Sequence, residues 1–303
     1  MPAMLARRTL LAGLAGSFVA AASRLPANKN VRWALGSNLW NSFPPVPFTE
    51  ILDVMRDTGF IGIRLTQFPG ILTKYGITSA QLEKEVSKRN LQVVTISFNG
   101  PTHDPSQLVK VLTDARTAMN FLKNFGARHL VVFSPSRRAK GAESQDAFAN
   151  MCTAFNRIGE VAGKMGFRAG LHNHLNQMVE NTNEMARAMA LTDPKIFHFS
   201  PDTAHVHLAG GDMVAVLDKY RGRVMLLDYK DARREGLDKQ AFLPNILDLG
   251  DGEIDFPGCH RILKSMAFKG WICVDLDIAR KGPRVSYERC GAYVVKSLER
   301  IYV

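Results

Sequence analysis

The sequence contains few cysteines and no paired cysteine motif. Its 303 residues include four cysteines, at positions 152, 259, 273 and 290, and no C-x-x-C pair. This argues against a disulfide-bonded scaffold and against a zinc finger, because both need closely spaced cysteines. We therefore interpret all four as small residues of the hydrophobic core.

Acidic residues are scarce relative to basic ones. There are 28 Asp and Glu against 39 Lys and Arg, a formal charge of +11. This excess suits an acidic partner, but it does not define a fold or an activity. With 46% hydrophobic and 22% charged residues the chain can bury a core, which excludes intrinsic disorder. The 14 Pro and 24 Gly are scattered, which excludes a collagen-like repeat.

Residues 1–22 have the layout of a secretory signal rather than of a folded segment. Arg7 and Arg8 precede a short apolar run rich in glycine, and small residues follow up to Ala22. The run is too short for a membrane-spanning helix, which needs about 20 apolar residues. The arginine pair resembles a twin-arginine signal, which predicts a periplasmic or secreted protein. Cleavage after Ala22 would leave 281 residues.

The rest of the chain, residues 31–303, alternates between two kinds of segment. Short β-branched runs predict eight strands, and helical patterns with apolar residues three and four apart lie between them. The predicted strands are Arg32–Gly36, Gly62–Leu65, Leu91–Phe98, His129–Phe133, Arg168–His172, Ile196–Ser200, Arg223–Asp228 and Trp271–Asp275. Eight such units in about 250–280 residues predict a single (β/α)8 barrel, a TIM barrel. A doubly wound sheet is the alternative, but no G-x-G-x-x-G follows any strand.

In such a barrel the functional residues lie at the carboxyl ends of the strands. The last four predicted strands each end in an imidazole or a carboxylate, at His172, Asp202, Asp228 and Asp275. Burying so many ionisable groups without a partner would cost folding free energy. A divalent cation would offset this cost, because Asp oxygens and His nitrogens are its usual ligands. We expect one shared metal site at this mouth.

Several other polar residues have a simpler explanation. We interpret Asp212 as a helix cap, and His198 and His207 as packing or hydrogen-bonding residues. Asp277 and Asp231 could equally pair with Arg280 and Arg233 at the rim.

The motifs of the second half resemble those of the xylose isomerase-like barrel superfamily. They are His172-Asn173-His174, Asp202-Thr203-Ala204-His205, Leu226–Asp231, and the segment from Leu249 to Phe256, which reads LGDGEIDF. The resemblance covers nearly the whole mature chain. It implies a TIM barrel related to sugar phosphate isomerases/epimerases, ketose 3-epimerases and inosose dehydratase.

The resemblance also implies a set of metal ligands. Family members typically bind a divalent ion, often manganese, through Glu, Asp, His and Glu on strands 5 to 8, and these positions fall on His172, Asp202, Asp228 and Asp275. Asp202 alone keeps the usual residue; His and acid have exchanged places between strands 5 and 7. Manganese is the expected ion, with cobalt, magnesium and zinc as alternatives.

The chemistry implied is proton transfer next to a carbonyl, through an enediolate. We expect His174 and His205 to act as acid/base groups and Lys230 to stabilise charge, with His205 as an alternative fifth ligand. The expected substrate contacts are Asn38, Trp40, His103 and Arg137. His103 is equally well explained as a loop histidine, and a solvated loop also explains Arg137 and its neighbour Arg138.

Three classes of function follow. The first is a metal-dependent isomerase or epimerase of a keto-sugar or related polyol, with a dehydratase acting on a keto-cyclitol or 3-keto-sugar as its alternative. The second is a sugar-binding barrel without catalysis. The third, a nuclease related to endonuclease IV, suits the positive charge but lacks the Asp-x-His pair expected between strands 7 and 8. We expect a small sugar or polyol partner, no nucleic acid and no stable membrane insertion; self-association is left open.

Overall fold

The computed structural model describes Leu25 and residues 30–303. The predicted signal peptide, residues 1–22, lies outside the described residues and stays a prediction. In the described part, no helix has the length and apolar character needed to cross a membrane.

Eight parallel strands form a nearly closed barrel of the (β/α)8 type, as predicted. These strands are β1 (Val31–Gly36), β2 (Gly62–Leu65), β3 (Gln92–Phe98), β4 (His129–Phe133), β5 (Arg168–His172), β6 (Phe197–Phe199), β7 (Leu226–Tyr229) and β10 (Gly270–Val274). Each pairs with its neighbours in parallel register, and β10 pairs with both β1 and β7. Between β6 and β7 the contact is looser: Phe199 donates to the carbonyl of Arg223, and Met225 donates to the carbonyl of Phe199, at 2.8 and 2.9 Å.

Ten α-helices occur in the described residues: α1 (Phe48–Asp57), α2 (Gly70–Lys74), α3 (Ser79–Lys88), α4 (Leu108–Lys123), α5 (Ala147–Lys164), α6 (Thr182–Leu191), α7 (Thr203–Leu208), α8 (Met213–Lys219), α9 (Phe256–Ser265) and α10 (Pro283–Tyr293). The short helices α2 and α7 were not predicted. The predicted cap Asp212 is confirmed, since its side chain accepts from the backbone N–H of Val214 at the start of α8.

Hydrophobic side chains fill both sides of the barrel wall. The larger cluster lies between strands and helices, and it contains three of the four buried cysteines, which confirms that they are core residues. A smaller cluster joins side chains from strands on opposite sides of the barrel and so fills its interior. Its buried members are Ala34, Val94, Val131, Met225, Leu226, Trp271 and Cys273.

The connection between β7 and α9 carries a small antiparallel pair, β8 (Asp231–Ala232) and β9 (Ile246–Leu247), which was not predicted. The side chain of Asp231 holds it in place by accepting from the backbone N–H groups of Gly250 and Gly252, both at 2.9 Å. A Cβ on Gly252 would lie 2.3 Å from that carboxylate, so only glycine fits there. The motif LGDGEIDF is thus explained by its contacts with Asp231.

Candidate functional site

The four predicted metal ligands meet at the carboxyl end of the barrel. His172 ends β5, Asp202 immediately precedes α7, Asp228 lies in β7 and Asp275 follows β10. All four side chains are buried. Leu226 packs in the barrel interior, so Asp228, two residues later in β7, also points inward.

Three of the four residues form a cluster with the spacing of a metal site. One ligand atom each from His172, Asp202 and Asp228 lie within 4.8 Å of one another. Nδ1 of His172 is 2.9 Å from Oδ2 of Asp228, and its Nε2 is 3.9 Å from Oδ2 of Asp202. Asp275 lies at the edge of this group, with Oδ2 3.5 Å from Arg64 and 3.8 Å from Lys230.

Two buried oxygens of this cluster lack a donor in the described part of the chain. Oδ1 of Asp228 and Oδ1 of Asp275 accept no hydrogen bond. Native proteins rarely leave buried carboxylate oxygens unsatisfied, so these atoms indicate a bound cation or water. The donor set of carboxylates with an imidazole fits a divalent metal ion.

Backbone and neighbouring groups hold the cluster in shape. Asn173 accepts from the backbone N–H of Asp202 at 3.0 Å. Asp202 in turn accepts from the N–H of His205 and so caps α7. Gly36 makes room for Asp275, since a Cβ at that position would lie 1.8 Å from its Oδ1.

Two cationic side chains, Arg64 and Lys230, are buried within the cluster. Arg64 contacts Oδ2 of Asp228, and its Nη1 is 3.5 Å from Oδ2 of Asp275. The ammonium of Lys230 lies 2.7 Å from Asp277 and 3.2 Å from Asp202. The four carboxylates of Asp202, Asp228, Asp275 and Asp277 thus face two cationic side chains.

The pKa values in the cluster follow burial and these pairs. Burial raises the pKa of Asp202, Asp228 and Asp275, although Lys230 and Arg64 oppose the rise. Burial also opposes protonation of Lys230, but the surrounding carboxylates outweigh it and raise the pKa of its ammonium above the usual value. The ammonium is therefore charged at neutral pH.

His174 and His205 lie side by side next to the cluster, with ring centroids 3.7 Å apart. Nδ1 of His174 donates to the carbonyl of Leu175 at 2.7 Å, which leaves Nε2 with a free lone pair. Both ring nitrogens of His205 are without a partner in the described residues. Burial lowers the pKa of both rings, and the neighbouring His174 and Lys230 lower that of His205 further, so both rings are neutral at pH 7.

A loop covers this imidazole pair. Phe242 directly precedes the short 3₁₀ turn, Leu243–Asn245, that leads into β9. Its ring lies edge-on to both imidazoles, with centroid distances of 5.8 Å to His174 and 5.3 Å to His205. The loop is fastened to the one that follows β5, because Asn176 donates to the carbonyl of Lys239 and accepts from Gln240, at 2.8 and 2.9 Å. The mouth is thus partly closed by an aromatic side chain.

The predicted substrate contacts occupy different environments. Asn38 lies at the mouth, where it donates to Asp277 at 3.0 Å, and its buried carbonyl oxygen has no partner in the described chain. Trp40 is buried and stacks on Tyr287. His103 is also buried, with Nε2 2.9 Å from the carbonyl of Lys140. Their roles, and those of the predicted ligands and acid/base groups, stay predictions.

Arg137 is largely engaged by acidic neighbours. Its guanidinium pairs with Glu184 and lies 3.5 Å from Glu180. The alternative rim pairs of Asp277 with Arg280 and of Asp231 with Arg233 do not occur in the described chain. Asp277 pairs with Lys230, and Asp231 accepts from backbone amides.

Sequence reasoning missed Arg64 and Phe242. Arg64 stands between Ile63 and Leu65 in the second strand, and alternation places it on the interior face. A charged residue within an apolar strand was therefore the available signal. Phe242 carried no comparable signal, since its position depends on contacts between two loops.

The model of the family described as xylose isomerase-like TIM barrel matches residues 52–289 of the chain. An inosose dehydratase from Bacillus velezensis is 25% identical over 272 residues, which cover 82% of this chain and 90% of the relative. These similarities extend over nearly the whole barrel.

Solved structures share the fold at low sequence identity. The IOLI protein with a bound zinc atom superposes with a TM-score of 0.74 at 13% identity, covering 89% of this chain and 99% of that one. An L-ribulose 3-epimerase superposes with a TM-score of 0.69 at 15% identity, covering 89% and 95%. At this level of sequence identity, both superpositions show a shared fold only.

Proposed function

Because the chain belongs to the xylose isomerase-like TIM barrel family, we propose that it is a sugar- or cyclitol-processing enzyme that removes a proton from the carbon next to a ketone. The observation that carries this proposal is the neutral imidazole pair, His174 and His205, beside a buried carboxylate cluster. A neutral imidazole can accept a proton, and the cluster can hold the cation that makes the adjacent carbon acidic.

His174 is the better candidate for the base. Its Nδ1–H is fixed by the carbonyl of Leu175, so Nε2 has the lone pair that takes the proton. His205 lies against it with two free nitrogens and can pass a proton to or from the substrate. Phe242 limits the access of water to both rings.

The metal, when bound, would polarise the ketone oxygen and stabilise the negative charge that develops on it. His172, Asp202 and Asp228 would hold it, since one ligand atom from each lies within 4.8 Å of the others. Lys230 fixes the carboxylates of Asp202 and Asp277 and adds positive charge near the reacting oxygen. Zinc and manganese both suit this mixed nitrogen and oxygen set.

We infer that elimination of water follows proton removal. Dehydration takes a proton from one carbon and gives one to the hydroxyl on the next, which leaves as water, and two adjacent imidazoles suit that exchange. The similarity to an inosose dehydratase over 90% of that relative supports the same outcome. Epimerisation would instead need a proton donor on the opposite face of the substrate.

Product analysis tests this proposal. The purified protein is incubated with Mn²⁺ and either a keto-inositol or a set of ketoses, and the products are followed by mass spectrometry and NMR. A product lighter by one water supports dehydration, and a stereoisomer of equal mass supports epimerisation. No conversion of any ketone, with metal present, would contradict the proposed activity.

We also propose that the chain is exported. The support is the arginine pair before the short apolar run of residues 9–22. Arg7→Lys combined with Arg8→Lys should retain a folded reporter fusion in the cytoplasm. Equal export of the double variant would contradict a twin-arginine signal.

A further inference from the structure

Arg64 is a fixed cation inside the barrel, at the place where the metal ligands converge. Its side chain is fully buried, and Nη1 contacts Oδ2 of Asp228 and lies 3.5 Å from Oδ2 of Asp275. Nε donates to Ser97 at 3.0 Å, and the guanidinium stands 5.4 Å from the ring centroid of Phe133. These contacts hold the guanidinium in one position.

In this position Arg64 competes with any metal ion for the same carboxylates. An arginine stays charged throughout the physiological pH range, so it cannot lose a proton to make way for a second cation. One oxygen of Asp228 is occupied by Arg64, whereas the other, Oδ1, has no partner in the described chain. An ion can therefore bind through the free oxygens, but it must do so beside a permanent positive charge.

We propose that Arg64 is a built-in competitor of the divalent ion. It neutralises Asp228 and Asp275 when the ion is absent, which keeps the metal-free barrel stable, and it weakens the binding of the ion, which makes metal uptake reversible. The inference rests on the proposed function only in placing the ion at His172, Asp202 and Asp228.

Removal of the charge tests the competition. The full chain is stripped of metal and titrated with Mn²⁺, and the free ion is measured by electron paramagnetic resonance. Arg64→Met should bind Mn²⁺ at least about 10-fold more tightly than the wild type, because a like charge is removed from a low-dielectric site. Its metal-free melting temperature should fall, and Mn²⁺ should raise that temperature by more than in the wild type.

Two further variants make the result specific. Arg32→Met removes the same charge from the amino end of β1, away from the metal ligands, where the guanidinium lies 4.4 Å from the ring centroid of Trp271, and it should leave Mn²⁺ affinity unchanged. Arg64→Gln removes the charge but keeps a donor for Asp228, and it replaces Arg64→Met if that variant does not fold. It too should tighten Mn²⁺ binding.

The possible outcomes separate this inference from the proposed function. If the wild type binds Mn²⁺ and the Arg64 variants bind it equally or more weakly, competition is wrong and the metal site stands. If only the Arg64 variants bind Mn²⁺, the competition is supported and the metal-dependent activity of the wild type is contradicted. If none of these proteins binds Mn²⁺, both are wrong.

Discussion

The two ends of the barrel interior are built from the same strands but differ in chemistry. Toward the amino ends of the strands, Val131, Met225 and Trp271 form an apolar layer, called here the lower layer. Toward the carboxyl ends, the same strands and their neighbours present the carboxylates, the two buried cations and the imidazole pair, several with unsatisfied atoms. The lower layer therefore stabilises the fold. The polar groups at the carboxyl ends, the upper layer, stabilise it less and form the reactive site instead.

The largest expected effect is on the upper layer. Asp202→Asn should lower turnover by several orders of magnitude and reduce metal occupancy, because the amide removes a charge and a good ligand oxygen. The fold should persist, since the remaining carbonyl oxygen can still cap α7. Turnover, elemental analysis and the melting temperature measure the three effects.

Asp212→Asn is the matched control. Asp212 caps α8 in the same manner but lies outside the cluster, so its variant should keep full activity and metal content. Full metal content and unchanged turnover in Asp202→Asn would show that the metal site is placed wrongly.

The imidazole pair should be nearly as sensitive. His174→Gln and His205→Gln should each lower turnover by about 10²–10⁴-fold, the usual contribution of a positioned acid or base. Metal content should stay unchanged if neither ring is a ligand. His207→Gln, at a half-buried site where the ring pairs with Glu253, serves as the control. If both variants kept more than about a tenth of the activity, the acid/base assignment would be wrong.

The lower layer should respond in the opposite way. Met225→Ala should lower the free energy of unfolding by about 2–5 kcal/mol, because it opens a cavity in a packed interior. Turnover of the folded variant should stay within a few-fold of the wild type. Denaturant titration gives the first quantity. A variant with normal stability and lost activity would contradict the separation of the two layers.

A smaller effect concerns a histidine outside the mouth. His260 stacks on Trp33 and lies 3.0 Å from the hydroxyl of Tyr229, and burial lowers its pKa to about 4. The unfolded chain takes this proton near pH 6.5, so acid favours unfolding. The stability advantage of the wild type over His260→Phe should therefore shrink by up to about 3 kcal/mol between pH 7 and pH 4. A constant difference across that range would contradict a neutral, buried ring.

Much of this arrangement could be predicted from residue order. A two-residue period along parallel strands of one barrel brings His172, Asp202 and Asp228 to a common end, and the structure places them within 4.8 Å. Arg64, the cation that contacts Asp228, was missed, because a single arginine between Ile63 and Leu65 is easily taken for ordinary strand sequence. The partner of Asp277 could not be predicted, since the curvature of the barrel decides which strand ends meet.

The proton-abstraction claim is tested most directly by isotope exchange. A keto-inositol is incubated in D₂O with Mn²⁺ and either the wild type, His174→Gln or Asp202→Asn, and deuterium at the carbon next to the ketone is followed by NMR. We expect enzyme-dependent incorporation, or loss of that hydrogen with water, for the wild type and strong suppression in both variants. Equal exchange with all three proteins, or none above the uncatalysed rate with the wild type, would contradict this expectation.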